Sequence, residues 1–551
     1  MMTCEPADSS GAQQPAPVTR TYLCPRRDQM FLLPVSMREW IAEGHLAWLV
    51  LDVVAEMDTS GLHQGPCVVS GRPPYEPEMM CALVLYAYCR GIRSSRQIEA
   101  GCLTDAAFRV ICGGLEPDHT TISRFVGARQ QALGALFAEG LRLCSQAGLA
   151  DLSVVALDGT KVAADASLSQ NRDREWIERE VSKLIALTAE GGDGDSGEPG
   201  GLSAGAVPGP SSLEGLVVEA APAGAARGAA ARLGRLRAAL AVIDAAAAEE
   251  RAEAEREATQ AAAQAARGRM LRGRKPTDPH KALARAAADH AVALGRLGEM
   301  RAARERRDQA AAGGERPLPK APPPCRIRRA AECLKRAEAD LAAAREAADQ
   351  APRPARRVNV TDPDSRIVKT QKCWVQGYNA QAIASRDQIV VACEVSQDAG
   401  DVQLLKPMVA ELKRTLDAAG IAAGAQLMLA DAGYSSEANA ICPGPDRLIA
   451  TQKDHKRRRA ARERGEADGP PAPQATAIEE MEHLLRTPQG ARAYAERSAI
   501  IEPVFANAKH NRSLRGFRRR GLDAVRGEWA FVCLASNVLK LHRHRLAQAP
   551  A

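Results

Sequence analysis

Strand-forming patterns fall in two separated blocks of this chain, so any sheet has to be assembled across the gap between them. Val154-Val155-Ala156-Leu157-Asp158-Gly159 is a short apolar run ending in a carboxylate, the pattern of a buried strand whose last residue is Asp158. Strand signals return only at Cys373. Residues 374–383 and 388–395, separated by a polar turn around Arg386-Asp387, have the pattern of an antiparallel hairpin. Residues 401–416 follow as an amphipathic helix, capped near Asp398–Asp401. Residues 425–431 are a second buried run ending in Asp, and 447–450 a further strand. With the gap removed, the order is strand–Asp, two strands, helix, strand–Asp, strand, then helices from 478 to about 546. That order describes a mixed sheet with helices packed on it.

The gap, residues 171–356, differs in composition. Residues 191–228 are rich in Gly, Ala and Pro, as in a flexible segment. From Ala229 to about Arg307, Ala, Arg and Glu dominate, a composition of high helix propensity. Leu233, Leu236, Leu240 and Ile243 make a brief heptad seam that fades into alanine. A Pro-rich break at 317–324 precedes a second helical stretch over 326–349. The expectation is a helical or partly disordered insert acting as a solvated spacer. Ahead of the first strand, residues 29–150 form an all-helical pattern, in which Met79, Leu83, Tyr86 and Ala87 share one face and Leu133, Leu136, Phe137 and Leu141 another. Asp118 is placed as an N-cap. The Thr, Ser and Arg124 after it lie in the first turns, where such side chains suit DNA contact; the plainer account is a capped helix in a bundle. Residues 1–28 are polar and loose, and 454–476 form a charged, Pro-rich linker.

Whole-chain charge decides little: 74 Lys plus Arg against 67 Asp plus Glu leave +7. Its distribution is more informative. Between Asn511 and Arg526 stand Arg512, Arg515, Arg518, Arg519, Arg520 and Arg526 against one acid, Asp523, a stripe suited to a phosphate backbone. The 14 cysteines are scattered, with no CxxC pair and no zinc-finger spacing, as expected of reduced thiols in a cytoplasmic protein. No run of apolar residues is long enough to span a membrane. There is no Gly-rich phosphate loop and no GxSxG elbow, so covalent serine chemistry has no support.

Two strands ending in Asp, followed by an acid on a later helix, suit a carboxylate metal site. Mg²⁺ is a hard cation that takes oxygen ligands and keeps several waters. Taken singly, an Asp after a strand is more often a turn former or a cap; the constellation is what matters. Leu157-Asp158-Gly159-Thr160-Lys161 and Leu429-Ala430-Asp431-Ala432-Gly433-Tyr434 resemble the first two acidic motifs of insertion-sequence DDE transposases. Tyr494, Arg497, Ile501-Glu502-Pro503-Val504-Phe505 and Lys509 resemble the third. Asp362-Pro363-Asp364-Ser365, residues 377–381, Asp398-Ala399-Gly400-Asp401, residues 515–521 and residues 533–541 extend the likeness. The block from Phe31 to Phe125 is similar to the helical domain of one branch, the eleven-eighty-two type, related to the four/five groups of insertion sequences.

The resemblance implies an α/β ribonuclease-H-like mixed sheet with flanking helices over 151–170 and 357–545, preceded by the helical domain and interrupted by the insert. It implies a triad of Asp158, Asp431 and Glu502 holding two Mg²⁺ ions, with Mn²⁺ as a substitute. Tyr494, Arg497 and Lys509 would hold the DNA end, with Arg124, Arg512, Arg515, Arg518, Arg519 and Arg520 on phosphates. The implied partners are double-stranded DNA, as terminal inverted repeats and target, and a second copy in a homodimeric synaptic complex. The alternative is a non-catalytic DNA-binding regulator derived from a transposase, and a third reading is a plain ribonuclease-H-like nuclease. The spacing departs in one place. Arg497 and Glu502 are five apart, roughly 140° on an ideal helix, and Pro503 suggests that the helix bearing Glu502 starts near it, leaving Tyr494 and Arg497 on a preceding segment. Lys509, two turns beyond Glu502, would share its face. Glu496 and Glu394 are the fallback third acids.

Overall fold

The computed structural model describes residues 24–28, 36–64, 73–190, 225–266, 279–312, 322–350, 356–370, 373–451, 459–460, 463–465 and 475–548. Most of the polar segment 1–28, of the Gly-, Ala- and Pro-rich stretch 191–228, of the Pro-rich break 317–324 and of the 454–476 linker lies outside the described residues. The chain divides into two compact units, 1–170 with 361–551, and 171–360.

Among the described residues the first unit opens with six α-helices: α1 (Leu46–Glu56), α2 (Pro77–Cys89), α3 (Ser95–Thr104), α4 (Ala106–Cys112), α5 (His119–Ala128) and α6 (Gln130–Gln146). Every residue of α2 except Glu78 is buried, so the face read from Met79, Leu83, Tyr86 and Ala87 is part of a helix enclosed on nearly all sides. Asp118 caps α5 as expected, its carboxylate accepting from the amides of Thr120 and Thr121. The sheet follows: β1 (Val154–Ala163), β4 (Arg366–Lys369), β5 (Trp374–Ser385), β6 (Val390–Ser396), β7 (Leu427–Ala430) and β8 (Asp446–Ile449). Its order is β4-β5-β1-β7-β8, with β6 also paired to β5. β1 runs antiparallel to β5 and parallel to β7, and β7 parallel to β8, giving the expected ribonuclease-H-like mixed sheet. The β5–β6 hairpin turns at Arg386-Asp387, with Gln388 at φ +62°.

Helix α11 (Leu405–Ala418) lies between β6 and β7, and α12 (Glu437–Ala440) after β7. Three helices close the chain: α13 (Ala477–Arg486), α14 (Pro488–Ala506) and α15 (Leu522–Gln548). α15 packs against α6 and α2 as well as against β6, so one helix binds the N-terminal bundle to the sheet. The reason is visible at Asn537. Its fully buried side chain accepts from Val390 N at 2.9 Å and donates to Val390 O at 2.8 Å, replacing a strand partner beside the β-bulge.

The second unit contains the short pair β2 (Asn171–Arg172) and β3 (Val358–Asn359), helix α7 (Arg174–Glu190) and three long helices, α8 (Ala225–Ala266), α9 (Pro279–Ala312) and α10 (Pro324–Gln350). The expected seam is real and brief. Leu233, Leu236 and Ile243 are buried with Ile177, Val181, Leu184 and Val358 in a small core of the unit's own.

Candidate active site

Strand register brings the first two acids together. In the parallel β1–β7 pair Leu157 stands opposite Ala430, so the next residue on each strand is an aspartate. Adjacent strands lie ~4.8 Å apart, so Asp158 and Asp431 are neighbours. β7 stops there, and Asp431 turns to cap the short 3₁₀ turn Ala432–Tyr434, its Oδ1 accepting from Gly433 N at 2.8 Å. β1 does not stop at Asp158, contrary to expectation. β5 supplies antiparallel partners as far as Gly377, which carries β1 on to Ala163 and leaves the Asp158 carboxylate in mid-strand.

Burial raises the Asp158 carboxyl to about 6; the Arg497 guanidinium and the Gly159 amide oppose that rise, while the charges of Asp431 and Asp401 add to it. Arg497 Nη1 donates to Asp158 Oδ2 at 3.2 Å, and the two side chains are 15 % and 22 % exposed. Burial is the largest influence on Arg497 and lowers it, but Asp158, Tyr494 and Asp431 together outweigh burial and hold the guanidinium above its ordinary value. One turn earlier, the Tyr494 hydroxyl donates to Ala430 O at 3.3 Å, directly before Asp431.

These two residues share a helix with Glu502, which corrects the expected break. α14 starts with Pro488 in its first turn, where a missing N–H costs nothing, and Thr487 Oγ1 caps it by accepting from Gly490 N at 3.0 Å. Pro503 sits inside the helix and offers no amide to the carbonyl of Ala499. Gln388 Nε2 donates to that carbonyl at 2.8 Å instead, so the helix continues. It then loosens into a π-turn, Asn507–Asn511, which carries Lys509. The seven residues from Glu502 to Lys509 therefore pass from the α-helix into the π-turn instead of along one regular helix. Burial lowers the Lys509 ammonium, and the charge of Asp158 works the other way.

A residue that sequence reasoning passed over joins the pair. Asp401 Oδ1 accepts from Lys161 Nζ at 3.0 Å, Asn379 Nδ2 at 2.8 Å and Gln381 Nε2 at 3.1 Å. Gln381 Oε1 in turn accepts from the Tyr434 hydroxyl. The network thus ties the Lys161 end of the first motif to the Tyr434 end of the second. Gly159 is required by it, because a Cβ there would collide with Gln381 Nε2. A Cβ at Gly433 would come within 3.0 Å of Asp431 Oδ1 and 3.5 Å of Asp401 Oδ2. α11 begins at Leu405, later than expected, and the turn over 401–404 is what leaves the Asp401 side chain facing this network. The available signal was that residues 377–381 and 398–401 both belonged to the family likeness.

Glu502 is exposed on α14, and among the described residues no three of His, Cys, Asp and Glu are gathered closely enough to hold a metal ion. The fallback acids are engaged elsewhere, Glu496 with Arg386 at 2.9 Å and Glu394 with Arg526 at 2.5 Å. Asp158 and Asp431 nevertheless fit a hard divalent cation. They are oxygen donors whose mutual repulsion such a charge would relieve, with water completing the shell.

The basic stripe divides. Arg512 turns inward and donates to the carbonyl of Cys89. Arg520 pairs with Asp165 at 2.9 Å. Arg515 and Arg518 are exposed, Arg519 is half-buried, and Arg124 is exposed on α5. A Transposase domain (DUF772) matches residues 35–128, and a Transposase DDE domain matches residues 471–542. The chain carries two transposase-family domains. The first transposase domain spans α1 to α5; the second includes Tyr494, Arg497, Glu502, Lys509 and the basic stripe, while Asp158 and Asp431 lie outside both matches. No curated protein and no solved structure matches the chain. Among the described residues no helix is long and apolar enough to cross a membrane.

Proposed function

We propose that this chain is an insertion-sequence transposase of the eleven-eighty-two branch. It binds the terminal inverted repeats of its element, cuts them in a divalent-metal-dependent reaction and joins the freed ends to target DNA in the bacterial cytoplasm. The observation that carries this reading is the parallel register setting Asp158 beside Asp431, in a chain with a Transposase DDE domain. Asp158 and Asp431, with Glu502 as third acid, would hold two Mg²⁺ ions, or Mn²⁺ in their place. When bound, such ions activate the attacking oxygen and steady the leaving one in an in-line displacement at phosphorus.

The protein's own part is the placement of charge. Arg497 favours the ionised form of Asp158 against the cost of its burial. Tyr494 fixes the end of β7 from which Asp431 projects. Lys509 offers an ammonium to a DNA phosphate, where charge-assisted hydrogen bonds are strongest. Arg515, Arg518, Arg519, Arg520 and Arg124 add phosphate contacts, while Arg512 anchors the segment to the helical bundle. Two DNA ends call for two protomers, hence a homodimeric synaptic complex.

The test is to incubate the full chain with a plasmid carrying the element's ends in Mg²⁺ or Mn²⁺. End cleavage and strand-transfer joints are expected, both abolished by Asp158→Ala, Asp431→Ala and Glu502→Ala with end binding retained. Binding without cutting in either metal contradicts the reading and matches a regulator; cutting without joining matches a plain nuclease.

A further inference from the structure

Two clefts meet at a buried arginine between the regions matched by the two transposase domains. One, of about 590 Å³, is lined by Gln97, Arg515 and Arg518; the other, of about 160 Å³, by Ser94, Ser95 and Arg518, and Arg93 borders both. The side chains of Arg93 and Glu528 are 3 % and 1 % exposed and pair at 2.7 Å. Arg93 also donates to Gly516 O at 2.7 Å and Ser513 O at 3.3 Å. Glu528 Oε2 accepts the amides of Arg518 and Arg519 at 2.9 and 3.1 Å. One ion pair thus fixes the backbone of residues 513–519 against the start of α3.

What remains unsatisfied around these clefts is positive. Glu528 is taken up by Arg93 and the two amides, and Asp165 by Arg520. Among the described residues neither Arg515 nor Arg518 has an ionic partner within 4.0 Å. Ser94, at the N-cap position of α3, makes no side-chain cap bond, which leaves its hydroxyl and the first amides of a ten-residue helix for an outside acceptor. Several donors, two free guanidiniums and a helix N-terminus together require an anion with many acceptor oxygens.

We propose that the joined clefts bind the phosphate backbone of duplex DNA, with Arg515, Arg518 and the Ser94–Gln97 turn as contacts and the Arg93–Glu528 pair as the positioning device. The choice of DNA as the polyanion rests on the transposase reading. The test is fluorescence anisotropy of the full-length protein with a labelled duplex of about 30 base pairs and arbitrary sequence, across a salt series. Arg515→Ala and Arg518→Ala each weaken binding about tenfold and lower the magnitude of the salt slope by about one. Arg93→Lys, at a position that touches no DNA, lowers the slope by about two, because both arginines lose their placement. A mere folding defect reduces the active fraction and leaves the slope unchanged. Arg414→Ala, an exposed arginine on α11, retains wild-type binding. Wild-type affinity and slope in both Arg515→Ala and Arg518→Ala would overturn the inference, as would an equal loss in Arg414→Ala. A wild-type protein that binds duplex while these variants are silent removes this inference alone. A wild-type protein that fails to bind duplex at low salt removes the transposase reading with it.

Discussion

A carboxylate oxygen that accepts three nitrogens does more than begin a helix. Asp401 holds Lys161, Asn379 and Gln381 around one oxygen while its charge is felt at Asp158. Asp401→Ala is expected to lower strand cleavage by about 10–100-fold, the usual cost of removing a partner that orients a metal site. A cleavage assay at saturating DNA checks this, and unaltered rates would refute it. Asp118 makes the complementary case of a purely structural acid. Its cap bonds to Thr121 and Thr120 hold its carboxyl down at about 2. Because the folded value lies below the ordinary 3.8, the cap's contribution is complete above pH 3.8 and is lost as pH falls through about 2. Asp118→Ala should cost about 1 kcal/mol in urea unfolding at neutral pH, and Asp118→Asn much less. Asp118 was legible in the sequence because a cap is a local feature. Asp401 was not, since its partners sit on β1 and β5 and only the finished sheet gathers them.

At the scale of elements, two apolar runs each followed by Asp were enough to anticipate both strands, because a buried strand and its carboxylate are local patterns; their parallel pairing is long-range and was not legible. The extent of β1 was not legible, because the strand continues past Asp158 on the strength of partners supplied by β5. The course of α14 was misread for a similar reason. Pro503 argues for a break, and the compensation comes from Gln388, more than a hundred residues away in the chain. Pro503→Ala restores the missing amide and should stabilise the protein by about 1 kcal/mol, below the ~3 kcal/mol cost of an uncompensated interior proline. By tightening the exit of α14 it should also shift the π-turn bearing Lys509 and slow cleavage. Thermal unfolding and cleavage rates measured together would check this; unchanged stability would mean that Gln388 already compensates in full.

Over the whole molecule, α15 and the Arg93–Glu528 pair join the N-terminal bundle to the sheet, and neither connection is visible in a linear reading, where the basic stripe looks like one uniform surface. Glu528→Ala leaves a buried guanidinium without its counter-charge, and the expected loss is about 3–5 kcal/mol. A change below about 1 kcal/mol in denaturant unfolding would mean that water reaches the pair. The leucine seam read at 233–243 was legible, but its closure into a small core with Ile177, Val181, Leu184 and Val358 was not, since those partners come from both ends of an insert expected to be a solvated spacer. Asp158 and Asp431 are proposed as the ion-binding core of a transposase. Mn²⁺ binding to the full-length protein, followed by electron paramagnetic resonance, tests this most directly. Asp158→Ala and Asp431→Ala are each expected to abolish binding while the fold persists; wild-type Mn²⁺ affinity in both variants would rule that core out.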